Sequence, residues 1–220
     1  MAQDSSLPDF WDVRYQQGVT PWEGAQPDVL MQRFIASLPP GSRVLLPGCG
    51  SAADVRWLLQ AGMQVDAIDF SHEAIRRAAA ALQDSPVRLW QADFFALDAA
   101  AHYDLVFERA FLCALPPRRW KDYTQKMMQL IPSGAYLAGV FFLADKAKGP
   151  PFGTSREALQ QLLAEGFELM DCQPAARLCR CLPGRSSGWY GSASLLLTAG
   201  PRNNLSYSVV TVCACCEMAE

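Results

Sequence analysis

The chain has 220 residues, half of them hydrophobic and 19% charged, with a formal net charge of −3. That composition excludes a disordered chain and suits one soluble domain with a sizeable core. The mild acidity, without a dense Lys/Arg run, argues against a nucleic-acid partner, and the longest apolar run, Ala135 to Ala144, is too short to span a bilayer, which needs roughly 20 residues.

The N-terminus, "MAQDSSLPDFW", has neither a basic start nor an apolar stretch, so no signal peptide is expected. A cytoplasmic location with reduced cysteines follows. "DFWDVRYQQG" reads as a helix on the spacing of Phe10, Val13 and Arg14. "VTPWEGAQP" is a loop broken by two prolines, and "DVLMQRFIASL" is a second helix with Asp28 near its start. Residues 10–40 are thus expected to form a helical cap.

The rhythm then changes. "RVLLP" (Arg43 to Pro47) is a short apolar run between "PPG" and "PGCG", hence a buried strand. "SAADVRWLLQAG" is a helix stopped by Gly62, and "QVDAIDF" a second strand. "SHEAIRRAAAALQ" is a helix with Ser71 as its N-cap, followed by a third strand in "VRLWQADFF". "YDLVFERAFLCAL" holds a fourth strand, up to about Phe107. "RRWKDYTQKMMQLI" is a helix, "AYLAGVFFLA" a fifth strand, and "SREALQQLLAEG" a helix. "FELMDCQ" and "SASLLLTA" are the last two strands. Strands alternating with helices predict an α/β fold: a seven-stranded, mostly parallel sheet with helices on both faces. No helical pattern separates the last two strands, so they close the sheet as an antiparallel hairpin. Residues 1–200 form a single domain in this reading. Residues 201–220 are a tail of uncertain structure.

Gly48-x-Gly50-x-x-Ala53 follows the first strand and opens a helix, and Asp69 ends the second strand 21 residues after Gly48. This is the arrangement of a nucleoside-binding crevice: glycine permits a tight turn and close ligand approach, and a carboxylate accepts hydrogen bonds from ribose hydroxyls. The plainer alternative is a tight turn plus a helix-capping aspartate. NAD and S-adenosylmethionine both suit the pattern. NAD chemistry would want a proton donor, and neither His72 nor His102 is well placed. S-adenosylmethionine needs an adenine slot, which "QADFF" supplies through Asp93 and Phe94. No metal is expected: Cys213-x₂-Cys216 gives a zinc-like spacing only once, with no histidine nearby. Cys49 and Cys113 read as core or site-lining thiols with no evident base partner.

"FWDVRYQQGVTPWE", "VLLPGCGSAADVRWL", "DLVFERAFLCALPPRRWKDY" and "KGPPF" together resemble the thiopurine S-methyltransferase family, including its thiol and halide methyltransferases. The likeness covers roughly Phe10 to Thr198. It implies a class I methyltransferase fold, S-adenosylmethionine as cofactor, and a small-molecule methyl acceptor such as a thiol, thiopurine, halide or chalcogen anion. It implies cofactor contacts from Tyr15, Trp22, Gly48, Gly50, Asp69, Glu108 and Arg109, with Arg109 also the catalytic residue at the methionine or substrate end; Cys49, Asp93 and Phe94, read from the residues themselves, complete the expected cofactor set. Gly149 to Phe152 is implied as a substrate-side loop. Two residues depart from the family pattern: Tyr15 stands where tryptophan is usual, and Glu108 where aspartate is usual. Taken alone, Arg109 could equally be a structural ion pair. An NAD(P)-dependent oxidoreductase and a non-catalytic cofactor-binding protein are the competing readings. The chain is expected to be a monomer or weak dimer.

Overall fold

The computed structural model describes residues 4–23, 29–174 and 190–200. The predicted tail and the cysteines at 179, 181, 213, 215 and 216 lie outside the described residues, as does Asp28.

A seven-stranded sheet runs through the molecule in the order β3-β2-β1-β4-β5-β7-β6. Its strands are β1 (Arg43–Pro47), β2 (Gln64–Asp69), β3 (Arg88–Gln91), β4 (Leu105–Arg109), β5 (Tyr136–Ala144), β6 (Phe167–Pro174) and β7 (Tyr190–Ala199). The first five pair in parallel, while β7 runs antiparallel to both β5 and β6. The helices are α1 (Pro8–Gln16), α2 (Val29–Ser37), α3 (Val55–Gln60), α4 (His72–Ala81), α5 (Trp120–Leu130) and α6 (Arg156–Leu163).

β1 shows why its sequence reads as an unbroken apolar run. Successive side chains of a strand point to opposite faces. Val44 and Leu46 join the layer with Met31, Ile35, Val55 and Leu58, while Leu45 joins the opposite layer with Tyr123, Met127 and Leu159. Both faces are covered by helices, so Val44 to Pro47 are all buried and only Arg43, at the start of the strand, reaches solvent. Each such side chain contributes about 1.5–3 kcal/mol by leaving water.

The chain proceeds outward from β1 to β2 and β3, then crosses back to place β4 on the other side of β1. That reversal opens a crevice beyond the carboxyl ends of β1 and β4, where doubly wound sheets hold their ligands.

The ends of β3 and β4 and the buried face of α1 differ from the sequence reading. The third strand stops at Gln91, because Asp93 accepts a hydrogen bond from the Phe95 N–H (2.9 Å) and caps a short 3₁₀ turn, Phe94–Ala96. β4 continues to Arg109, since its pairing with β5 persists to Arg109 opposite Val140. In α1 the inward face carries Phe10 and Tyr15, while Val13 is 43% exposed. The helix docks through a polar contact: Asp12 accepts hydrogen bonds from the Ser71 hydroxyl and from the Glu73 N–H (3.0 Å) at the start of α4. Among the described residues, no helix is long and apolar enough to cross a membrane.

Candidate active site

The loops after β1, β2, β3 and β4 converge on one open cavity, with about 710 Å³ of space between its walls, solvent included. Tyr15, Trp22, Gly48, Asp69, Asp93, Phe94 and Arg109 line it. Gly48, Trp22 and Arg109 also border an adjoining cleft lined by Cys49, Gly50, Ala53 and Asp54. Nine of the ten residues expected at the cofactor are therefore placed around one crevice. Glu108 is the exception.

Gly48 and Gly50 both adopt left-handed backbone, with φ of 60° and 56°. A Cβ on Gly48 would come within 2.5 Å of the Phe111 ring, and one on Gly50 within 2.6 Å of the Tyr15 hydroxyl. The glycines thus serve two ends at once. They permit the turn, and they let two aromatic walls close on it. The second end was not anticipated from sequence, which assigned the space to a ligand alone.

Asp69 is buried at the end of β2. Its Oδ2 accepts the Gly50 N–H (3.0 Å) and its Oδ1 the Ser71 N–H (2.9 Å). Burial pushes its carboxyl up to about 6, against the lowering effect of those two amides. Each carboxylate oxygen keeps a further lone pair, and the residue borders the cavity.

Arg109 is not a bare cation. Its Nε and Nη2 donate to the two oxygens of Asp54, both at 2.7 Å, and both side chains are only 9% exposed. Trp57 Nε1–H donates to the same carboxylate at 3.0 Å. The arginine is held in one orientation by a bidentate pair. Two of the five guanidinium N–H donors are used, and the rest remain for another partner. Its partner is Asp54, at the start of α3, and not the adjacent Glu108.

Glu108 points away from the crevice. It is fully buried and accepts from the Phe111 and Leu112 N–H groups and from the Tyr123 hydroxyl. Its carboxylate holds the loop after β4 and does not line the cavity, so a cofactor contact is not what its geometry offers. Phe152 is also displaced from expectation. It borders a smaller hollow with Leu112 and Trp120, and its N–H donates to the Cys113 carbonyl at 2.7 Å. Burial raises the thiols of both Cys49 and Cys113, which keeps them protonated and unsuited to nucleophilic attack.

The aromatic cap is built from α1 and the turn after it. Trp22 Nε1–H donates to the Tyr15 hydroxyl at 3.2 Å, and Trp11 meets Trp22 edge to face at 5.5 Å. Glu23 accepts the Ser51 N–H at 3.0 Å, tying this turn to the glycine loop. Sequence reasoning missed Trp11, Phe70 and Ser5 as lining residues. Trp11 lies four positions before Tyr15 and was findable on helical spacing. Ser5 carried no signal. Its Oγ is buried without a hydrogen-bond partner. Among the described residues, no cluster of three metal-ligating side chains occurs.

A parallel sheet with antiparallel last strands, a glycine turn after β1 and an acidic residue closing β2 define a class I methyltransferase. A solved structure of magnesium protoporphyrin IX methyltransferase from Synechocystis PCC 6803, with bound S-adenosylmethionine, has the same fold: TM-score 0.66 at 16% identity, covering 91% of this chain and 98% of that one. Residues 6–180 match the model of the family described as thiopurine S-methyltransferase. The chain belongs to that family and is an S-adenosylmethionine-dependent methyltransferase. It is 31% identical over 175 residues to thiopurine S-methyltransferase of Pseudomonas putida (70% of this chain, 81% of that protein). It is 30% identical over 176 residues to the protein named Probable thiol methyltransferase 2 of Arabidopsis thaliana (76% of each). An oxidoreductase reading of the crevice is thereby set aside.

Proposed function

We propose that this chain methylates a small soft nucleophile (a thiol, thiopurine, halide or chalcogen anion) in the cytoplasm, acting as a monomer or weak dimer. The observation that carries the site assignment is Asp69, a buried carboxylate whose two oxygens each hold one backbone N–H and keep a lone pair beside the cavity. Those lone pairs suit a ribose diol. Asp93 and Phe94 suit the adenine. The cleft between Gly50 and Arg109 suits the amino-acid end.

When bound, the cofactor supplies a methyl group already activated on a sulfonium. The residues of the chain then have positioning work to do, which can supply roughly 7–11 kcal/mol. Tyr15, Trp22 and Phe111 exclude water and offer ring faces to a cation, worth about 1–2 kcal/mol. Arg109, neutralised by Asp54, orients a partner through its remaining N–H groups and adds little net charge. A soft nucleophile needs little help from a base, and no histidine borders the cavity.

The experiment is isothermal titration with S-adenosylhomocysteine and with NAD, followed by transfer of labelled methyl to thiophenol, 6-mercaptopurine and iodide. Binding of the first ligand alone, with turnover of at least one acceptor, is expected. Tighter binding of NAD, or no turnover on any acceptor, would overturn the reading.

A further inference from the structure

A carboxylate removed from water needs a reason. An apolar residue at position 108 would bury at lower cost, since an ion in the interior loses its hydration. Glu108 is nonetheless fully buried at the end of β4. Its Oε1 accepts the Phe111 N–H at 2.9 Å, and its Oε2 accepts the Leu112 N–H at 3.0 Å and the Tyr123 hydroxyl at 2.9 Å. The strand end and a core tyrosine of α5 together grip the two amides of the loop that follows.

That loop builds a wall of the cavity through Ala110, Phe111, Ala114 and Leu115. Its entry is unusual: Ala110 sits at φ 57°, a conformation that L-residues avoid unless their surroundings impose it. Its far end is held by Trp120, whose Nε1–H is shared between the Leu112 and Leu115 carbonyls at 3.1 and 3.0 Å. The result is a fixed Phe111 ring, seated on the glycine turn where any Cβ on Gly48 would strike it.

We propose that Glu108 and Tyr123 form a positioning pair that sets the Ala110–Leu115 wall, and through Phe111 the alignment of acceptor with cofactor. Neither touches the reacting atoms. The proposal rests on the reading of the cavity as the methyl-transfer site. The titratable groups facing Glu108 are Tyr123 from α5 and Cys113 from the loop, both kept neutral by burial, while β5 contributes Gly139 opposite it. Burial pushes the Glu108 carboxyl up to about 7, with the Tyr123 hydroxyl and the two amides acting to lower it. The ionised form is the one that accepts all three bonds, so the grip loosens as pH falls through that region.

The test compares wild type, Tyr123→Phe and Glu108→Gln by hydrogen exchange at the Phe111 and Leu112 amides, by S-adenosylhomocysteine titration, and by kinetics with thiophenol across pH 5.5–9. In Tyr123→Phe, loss of a hydrogen bond to a charged group should lower amide protection and kcat about tenfold. Cofactor-product affinity should change less than about threefold, because the Asp69 contacts are intact. The acidic limb of the kcat profile should move to higher pH in Tyr123→Phe, and the Glu108-dependent limb should vanish in Glu108→Gln. Folded variants with wild-type kcat and superimposable pH profiles would overturn the proposal, as would amide protection that does not change with pH in wild type. Should Glu108→Gln not fold, Tyr123→Phe retains the carboxylate and decides alone. Should wild type fail to methylate thiophenol, the acceptor reading fails for that thiol, while amide exchange still decides the role of Glu108.

Discussion

Replacing Asp69 by asparagine separates two opposing roles of one side chain. Without ligand its carboxyl is raised from 3.8 to about 6, chiefly by burial. The folded state therefore holds a proton more tightly than the unfolded chain does. The stability this confers is complete below 3.8 and is lost as pH rises through about 6. Above that pH the ionised group costs about 3 kcal/mol, the free energy that corresponds to raising a carboxyl so far. Asp69→Asn removes that cost but gives some back, because its single carbonyl oxygen can accept only one of the Gly50 and Ser71 N–H groups at full strength. Without ligand, thermal unfolding at pH 8 should find the variant as stable as wild type or more so. The cofactor should tell the opposite story. Two ribose hydroxyls lose a charged acceptor, about 3–6 kcal/mol in all, so S-adenosylhomocysteine should bind about a hundred- to ten-thousandfold more weakly. Wild-type affinity should fall about tenfold per pH unit below 6, and the variant should lack that limb. Unchanged affinity in Asp69→Asn, or an acidic limb that survives intact, would refute the assignment of the ribose to this residue.

Asp54→Asn should destabilise the fold by about 3–5 kcal/mol, read by urea denaturation, because it leaves the Arg109 charge buried and unpaired. Ser5→Ala should leave the ligand-free protein equal or up to about 1 kcal/mol more stable, since the hydroxyl lost is buried without a partner. Asp12→Ala should release α1 from Ser71 and Glu73, at about 1–2 kcal/mol in chemical denaturation. It should also shift the acidic limb of cofactor-product binding to lower pH, because Asp12 is one of the charges that raise Asp69.

The centre of the sheet was legible because β1, β2, β4 and β5 are buried on both faces and announce themselves as apolar runs between loop segments. The Gly48 turn and Asp69 were legible for a related reason: a local backbone requirement and a strand end fix their spacing along the chain. Arg109 could be located but not understood. Its partner, Asp54, stands 55 positions earlier in sequence, and only the crossing from β1 to β4 brings them together. Glu108 was misplaced because the sequence cannot say which way the last side chains of β4 point. The cap was half legible: Tyr15 and Trp22 came from the resemblance, whereas Ser5 is brought to the cavity by Asp4, whose carboxylate pairs with Arg118 far along the chain.

Asp69 and Glu108 are variations on one device. Each is an acid at the carboxyl end of a parallel strand, each is buried, and each accepts two backbone N–H groups from residues at the ligand-side end of the sheet. The device converts a rigid strand into a rigid loop, since it ties loop amides to a side chain that the sheet already fixes. The two differ in the third partner. For Glu108 it is Tyr123, so that carboxylate is satisfied within the protein. Asp69 borders the cavity with acceptor capacity to spare. Its raised carboxyl is therefore a cost that a hydroxyl-bearing ligand relieves, while that of Glu108 is a standing cost of holding the wall. A protein built this way should gain more stability from cofactor above pH 6 than below it, and the gain should depend on Asp69 alone of the two.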